Sequence, residues 1–341
     1  MFKDFIKRYA YLYLIIAILG LTTIGCSDDN TNNPPENNEV LELIKYLEGT
    51  DVKPTPMINN VPFIVKSTDV NNAILTDANW AIIDLRAADD YNNGHIKGAA
   101  NVKLMDLLTY YKTNDLASKE KVVIVCYTGQ TASFGASALR MSGFDNVFSM
   151  KWGMSSWNKS LDKWTSNTSN KGQAVFETTN HDKPAEGEYP QLNTGKTTGK
   201  EIADARLNQI LIDGFDAAKI SVDQVLQDPS KYFVVNFWPE SRYLDPGHVP
   251  GAYCYQPKST KDCEFLSTEY LKTLPTDKTI VVYCYTGQTS AYVTAYLRTL
   301  GYNVKSLLFG ANNLIYDKLK ERGWTIWNAE TDAHDYELVT E

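Results

Sequence analysis

The stretch Cys126-Tyr127-Thr128-Gly129-Gln130-Thr131 recurs letter for letter as Cys284-Tyr285-Thr286-Gly287-Gln288-Thr289. Each copy follows a β-branched run, Lys121 to Val125 in one case and Thr279 to Tyr283 in the other, which reads as a buried parallel strand ending at the cysteine. Each is followed by a helical pattern that stops at glycine, at Ser142-Gly143 and at Gly301. The flanks also match. Trp80 to Arg86 pairs with Tyr232 to Trp238, Gly94-His95-Ile96 with Gly247-His248-Val249, and Gly143-Phe144-Asp145-Asn146-Val147 with Gly301-Tyr302-Asn303-Val304. A chain built this way folds as a duplicated α/β unit, each copy a mostly parallel sheet flanked by helices.

The placement of the cysteines carries the chemistry. A cysteine between the C-terminal end of a strand and the N-terminus of a helix faces unpaired backbone N–H groups and the positive end of the helix dipole. Both stabilise a thiolate, and such settings bring a thiol from about 8.5 into a range of roughly 3.5 to 7.5. An inert cysteine buried in a sheet is the alternative for a single copy. Two identical glycine-containing loops in identical contexts favour a nucleophile.

At 341 residues, with 43% hydrophobic and 12% aromatic residues, the chain has material for two ordinary cores. Its first segment belongs to neither. Lys3, Lys7 and Arg8 precede an apolar run from Tyr11 to Ile24 that closes on Gly25-Cys26. This resembles a bacterial lipoprotein signal, with residues 1–25 removed and Cys26 lipidated, although Thr23 stands where leucine is usual. An uncleaved anchor is the other reading, and both place the globular part outside the cytoplasm. The run is short for a bilayer span. Ser27-Asp28-Asp29 reads equally as an acidic surface-export signal or as a solvated linker start. Residues 26–58, polar except for Val40 to Leu47, are expected to be a tether, with domains at 59–164 and 215–328, a polar linker at 165–214 and a tail at 329–341. A formal charge of −8 argues against nucleic acid as a partner, and lipid rather than a basic patch would hold the chain to a membrane.

Taken in order, the Asp84-x-Arg86 strand end, Gly94-His95-Ile96-x-Gly98-Ala99, Cys-x-x-Gly-x-Thr and the closing Gly-Phe-x-Asn-Val resemble the rhodanese-like sulfurtransferases. The resemblance spans roughly residues 60–162 and 215–320. It implies that Cys126 or Cys284 takes a sulfane sulfur from a donor such as thiosulfate as a persulfide and passes it to a thiol or cyanide, with no cofactor. It further implies that Thr128 to Thr131 and Thr286 to Thr289 cradle the anionic sulfur through backbone N–H groups. Gly129 and Gly287 then allow the curvature and the threonine hydroxyls add donors. Tyr127 and Tyr285 either line the entrance or pack against the surface. A cysteine phosphatase would need arginine six residues after the cysteine, where Ala132 and Ser290 stand. The neutral loop also points to sulfane sulfur donors other than thiosulfate.

The two copies differ. Asp84 and Arg86 keep the family pattern, whereas Asn236 and Trp238 replace them in the second copy, which favours Cys126 as the active residue. Arg242 either supplies a charge to the second site or is simply solvated. In the family the histidine at His95 and His248 is mainly structural. With His181 and His334 in polar segments and no Cys-x-x-Cys pair, no metal site is expected. Cys254 and Cys263 lie near an insertion: His248 to Cys284 spans 36 positions, against 31 from His95 to Cys126. They either form a disulfide or provide a resolving thiol. The rival to an enzyme is a persulfide or anion carrier without turnover.

Overall fold

The computed structural model describes residues 38–49, 62–257 and 268–340. The leader, Cys26 and Cys263 therefore lie outside the described residues, and so does any Cys254 to Cys263 bridge.

The first domain runs β1 (Ile64–Val65), α2 (Ser67–Leu75), β2 (Trp80–Asp84), α3 (Ala88–Asn92), β3 (Ala99–Asn101), α4 (Leu107–Thr113), β4 (Lys121–Val125), α5 (Gln130–Met141), β5 (Val147–Met150) and α6 (Met154–Trp157). Ahead of it stands α1 (Glu39–Glu48), and behind it α7 (Gly199–Ala217), broken at Gly214. The second domain repeats the order: β6 (Lys219–Ile220), α8 (Val222–Gln227), β7 (Phe233–Asn236), α9 (Glu240–Leu244), β8 (Tyr253–Cys254), α10 (Thr268–Leu271), β9 (Ile280–Tyr283), α11 (Gln288–Thr299), β10 (Val304–Leu307), α12 (Ala311–Leu314), α13 (Tyr316–Glu321) and α14 (Ala329–Asp332). The sheets are wholly parallel, in the orders β1-β5-β4-β2-β3 and β6-β10-β9-β7-β8. The expected duplicated α/β fold is present.

Strand alternation divides the core. Val122 and Ile124 face one side of the first sheet and Val123 and Val125 the other; Val282 and Val281 divide in the same way in the second. One face of each sheet joins a single core that runs through α1, α5, α7 and α11. Helices α5 and α11 are buried nearly all round because they are rich in alanine, serine and threonine, and the Ser137 hydroxyl donates to the Tyr292 carbonyl (2.9 Å).

Two parts of the expected layout change. Within the segment read as a tether, Glu39–Glu48 is a helix whose Val40, Leu43, Ile44 and Leu47 are 0–2% exposed and join that core. An apolar stripe at 3.6-residue spacing outweighs the polar sequence around it. The Glu39 carboxylate accepts from the Thr194 and Gly195 N–H groups (2.8 and 2.9 Å), pinning α1 to the segment read as a linker. That linker, in turn, is not a plain spacer. Glu177 forms an antiparallel bridge with His248 of the second domain, while the chain end bridges Val339 to His95 of the first. Trp157 Nε1 and Asn158 Nδ2 hold the tail through the Glu337 and Tyr336 carbonyls (both 2.8 Å). Each domain is thus covered by the segment that leaves the other. No helix of the described residues is long and apolar enough to cross a membrane.

At the end of α1, burial pushes the Glu48 carboxyl up to about 7, against the pull of the Tyr296 hydroxyl. The unfolded chain releases this proton near 4.5, before the folded one does, so the stability this group contributes is lost as pH rises from about 4.5 to about 7. Glu48→Gln should therefore raise stability at pH 8 by about 1–2 kcal/mol, after allowance for partial exposure, and leave it unchanged at pH 4. Urea unfolding at the two pH values measures this difference.

Candidate active site

Strand β4 delivers Cys126 to the start of α5, and the loop between them turns back so that its N–H groups face the sulfur. Cys126 Sγ accepts from Gly129 N–H (3.1 Å) and Ala132 N–H (3.4 Å). Gly129 is in the left-handed conformation (φ 80°), where a side chain is strained. Cys126 is 6% exposed, and this changes the expectation for its acidity. Burial pushes the Cys126 thiol up, and outweighs the N–H groups of Ala132, Thr128 and Gly129 that pull it down. The loop supplies donors as expected but does not by itself make a low-pKa thiolate, because desolvation is the larger effect.

The base of this site is an ion pair between Asp84 and Arg86, the two residues that keep the family pattern. Arg86 Nη2 lies 2.7 Å from Asp84 Oδ2, with both side chains at 1% exposure or less, and Arg86 also donates to the Gly94 carbonyl (2.8 Å). A buried pair of this kind costs about 3–5 kcal/mol when one partner is removed, since the other is left charged and unpaired. The Arg86 guanidinium lies 5.2 Å from the centre of the Tyr127 ring, and the exposed Lys163 ammonium 5.3 Å from it. A half-buried tyrosine beside the cysteine thus carries two cations around its face.

At the second loop Cys284 Sγ accepts from Ser290 N–H (3.3 Å) and lies 3.7 Å from the Ser290 hydroxyl. Where the first site has its ion pair, Asn236 donates to the Tyr283 hydroxyl (2.7 Å), its neighbour in the β7–β9 register. Trp238 stacks on Tyr285 (4.9 Å, 10°). Arg242 is not simply solvated: it donates to the Tyr285 hydroxyl (2.7 Å) and lies 4.6 Å from the Trp324 ring. The second site therefore keeps one cation beside its tyrosine, brought by α9 instead of by the strand end.

Comparison with known proteins decides the family. The rhodanese-like domain model matches residues 67–160 and 221–314, more than half of the chain. The chain belongs to the rhodanese-like family. Thiosulfate sulfurtransferase GlpE of Shewanella oneidensis is 34% identical over 96 residues, which are 28% of this chain and 93% of that protein. The putative sulfur carrier protein YrkF of Bacillus subtilis is 26% identical over 82 residues, 24% of this chain and 43% of that protein. Among solved structures, SseA of Escherichia coli, described with the 3-mercaptopyruvate sulfotransferases, is 20% identical. That match covers 72% of this chain and 98% of that one, at a TM-score of 0.29.

In this tandem rhodanese-like protein the loop residues do not all face the sulfur. Gln130 and Gln288 were expected to line the substrate site, but each reaches into the other domain. The Gln130 carbonyl accepts from Phe309 N–H (2.9 Å), and the Gln288 carbonyl accepts from Trp152 N–H (3.0 Å). A Cβ on Gly129 would stand 2.3 Å from Gln288 Nε2, and one on Gly287 2.3 Å from Gln130 Oε1. The glycines thus make room for the partner glutamine as well as for the turn. Two of the threonine hydroxyls also take bonds within their own loops, and as acceptors they keep their own protons to donate. Thr128 Oγ1 accepts from Gln130 Nε2 (3.1 Å), Thr286 Oγ1 accepts from Gln288 N–H (3.2 Å), and Thr131 and Thr289 stand half-buried in the first helical turns. Behind the loops Trp152, Trp164 and Trp327 form a buried aromatic cluster with Phe309, and Trp164 Nε1 donates to the Thr128 carbonyl (3.3 Å). Sequence reading missed these tryptophans as supports of the loop, because Trp327 comes from the second domain and Trp164 stands far along the chain from Thr128.

His95 and His248 hold their loops, with Nδ1 at 3.0 Å from the Tyr91 carbonyl and 2.9 Å from the Tyr243 carbonyl, and each stacks on that tyrosine. Cys254 is buried on the edge strand β8, 3.6 Å from the Trp238 carbonyl.

Gln288→Ala removes the acceptor of the buried Trp152 N–H and should cost about 1–3 kcal/mol. Gln130→Ala should behave alike, and the double variant should depart from additivity by about 0.5 kcal/mol or more, because the two side chains brace adjoining loops. Denaturant midpoints of the three variants supply the test. For Cys126, the rate of alkylation followed by peptide mass spectrometry should keep climbing above pH 8.5, beyond an ordinary thiol value of about 8.5. A plateau reached by about pH 7 would show that the N–H donors outweigh burial.

Proposed function

We propose that this protein moves a sulfane sulfur through a persulfide on Cys126, from an anionic donor such as thiosulfate to a thiol or cyanide. The observation that carries this reading is the pair of N–H groups, Gly129 and Ala132, aimed at Cys126 Sγ at the start of α5. After the thiol loses its proton to solvent, the thiolate attacks the outer sulfur of thiosulfate. The new S–S bond forms as the old one breaks, and sulfite leaves with the electron pair. Cyanide or a thiolate then attacks the outer sulfur of the persulfide, which regenerates the Cys126 thiolate. The N–H groups stabilise the negative sulfur at both stages as an oxyanion hole does. Lys163 beside Tyr127, and Arg242 beside Tyr285, supply the positive charge that the neutral loops lack.

Cys126 is the better site of the two. It sits over the intact Asp84 to Arg86 pair, while Cys284 sits over Asn236 and Tyr283. Burial of both sulfurs, 6% and 4% exposed, favours the alternative of a carrier that holds sulfur for a partner. Cys26, at the end of the basic and apolar leader, supports a lipid-anchored place in the bacterial cell envelope, facing the periplasm or the surface.

Thiosulfate to cyanide transfer by the wild type, Cys126→Ser, Cys284→Ser and the double variant tests the reading. Cys126→Ser should lose at least about 100-fold in kcat, as expected for loss of a covalent nucleophile, and Cys284→Ser much less. A gain of one sulfur atom on Cys126 without turnover would support the carrier, and no sulfur on either cysteine would sink both readings. In cell fractions Cys26→Ser should move the protein from membrane to soluble material.

A further inference from the structure

The bridge between the connecting segment and the second domain gathers three side chains that sulfur transfer does not use. Glu177, His181 and His248 present ligand atoms that all lie within 4.8 Å of one another. His181 Nε2 is 2.8 Å and His248 Nε2 3.7 Å from the same carboxylate oxygen of Glu177. The histidines are scattered in the sequence, and the fold brings two of them together. His181 comes from the segment after the first domain and His248 from the second, and the Glu177 to His248 bridge brings them together.

The decisive atom is His248 Nε2. The ring is fully buried, and Nε2 makes no hydrogen bond. Its Nδ1 faces the Tyr243 carbonyl at 2.9 Å, so Nδ1 carries the proton and Nε2 presents a lone pair toward a carboxylate. A buried lone pair set against a carboxylate is unfavourable unless a cation lies between them.

We propose that Glu177, His181 and His248 bind a divalent first-row metal ion, zinc foremost, which fastens the segment between the domains to the second domain. Two imidazoles and a carboxylate are ligands that zinc accepts, at about 2.0–2.2 Å each. Ligand atoms about 3.5 Å apart can surround one ion, and these three lie within 4.8 Å of one another. The outer contacts are those of a built site: the His248 Nδ1–H is fixed by a backbone carbonyl, and Glu177 also accepts from Gly251 N–H. His181 and Glu177 are about 30% exposed, which leaves an entry path and room for water as a fourth ligand. The fold alone does not demand an acid here. In the first domain the residue bridged to the equivalent His95 is Val339. The proposal stands apart from the sulfur-transfer reading.

Its test uses the untagged full chain carrying Cys126→Ser and Cys284→Ser, so that the loop thiols cannot take the metal. After dialysis against zinc the parent should hold one ion per chain, Co2+ should give the visible absorption of a low-coordinate nitrogen and oxygen site, and zinc should raise the Tm. His181→Ala and Glu177→Gln alter only partly exposed side chains. Each should weaken zinc binding about 10-fold or more, since even outer-shell changes cost about 10–100-fold, and each should abolish the Tm rise. The proposal is overturned if the parent holds no stoichiometric zinc, if neither variant weakens binding, or if Cys254→Ser removes the metal while His181→Ala retains it.

Discussion

Two glutamine side chains hold the molecule in register. Gln130 and Gln288 leave their own cysteine loops and give their carbonyls to Phe309 N–H and Trp152 N–H, each in the loop behind the other cysteine. Those acceptors sit where the chain needs them most. Trp152 and Phe309 both have positive φ, 64° and 62°, a strained state for an aromatic residue that the surroundings must hold in place. The glutamines also fix their neighbours, since Gly129 and Gly287 tolerate no Cβ beside them. One exchange therefore sets the glycine, the glutamine and the pose of each loop. The identity of the two hexapeptides reports the symmetry of this interface as much as the chemistry of sulfur.

Symmetry at the interface coexists with divergence at the sulfurs. On the Cys126 side a strand end supplies Asp84 and Arg86, which satisfy each other in the interior and leave the guanidinium facing Tyr127. On the Cys284 side the same register position holds Asn236, whose partner is Tyr283, and the cation comes from helix α9 through Arg242. Removing a buried charge together with its partner is far less costly than removing one alone, so the pair had to change together. Trp238, at the sequence position that Arg86 holds in the other copy, stacks on Tyr285. The second site is thus a repacked version of the first, with its positive charge moved outward along the chain.

Much of this was legible before any coordinates. The strands ending at Cys126 and Cys284, the helices after them and the parallel sheets follow from short-range patterns of β-branched residues and glycine stops, signals contained within a few residues. Asp84 and Arg86 were legible through the resemblance to the family, whose pattern they keep. What escaped was set by contacts distant in sequence. The targets of Gln130 and Gln288 and the joining of Trp327 to Trp152 and Trp164 depend on one domain packing on the other, and the burial that raises the Cys126 thiol depends on the packed fold. Helix α1 was half visible, as the apolar patch from Val40 to Leu47, but polar flanks hid its amphipathic stripe. The meeting of Glu177, His181 and His248 could not be read from spacing, because 67 positions separate His181 from His248.

The crossing of the two trailing segments explains why the copies could diverge without losing their fold. Each domain needs an antiparallel partner along the chain beside its histidine loop, and each receives it from the segment leaving the other domain. Backbone hydrogen bonds make that bridge, with Glu177 and His248 exchanging N–H to carbonyl pairs at 3.0 and 2.8 Å, and Val339 and His95 doing so at 2.9 Å both ways. Because backbone atoms carry the contact, the side chains at the bridge are free to differ. Val339 makes the first bridge aliphatic, in contact with no carboxylate of its own. Glu177 makes the second one ionic, and with His181 four residues on it turns a structural histidine into part of a cluster. The ion pair absent from beneath Cys284 thus coexists with a charged group, Glu177, on the segment that ties the domains together.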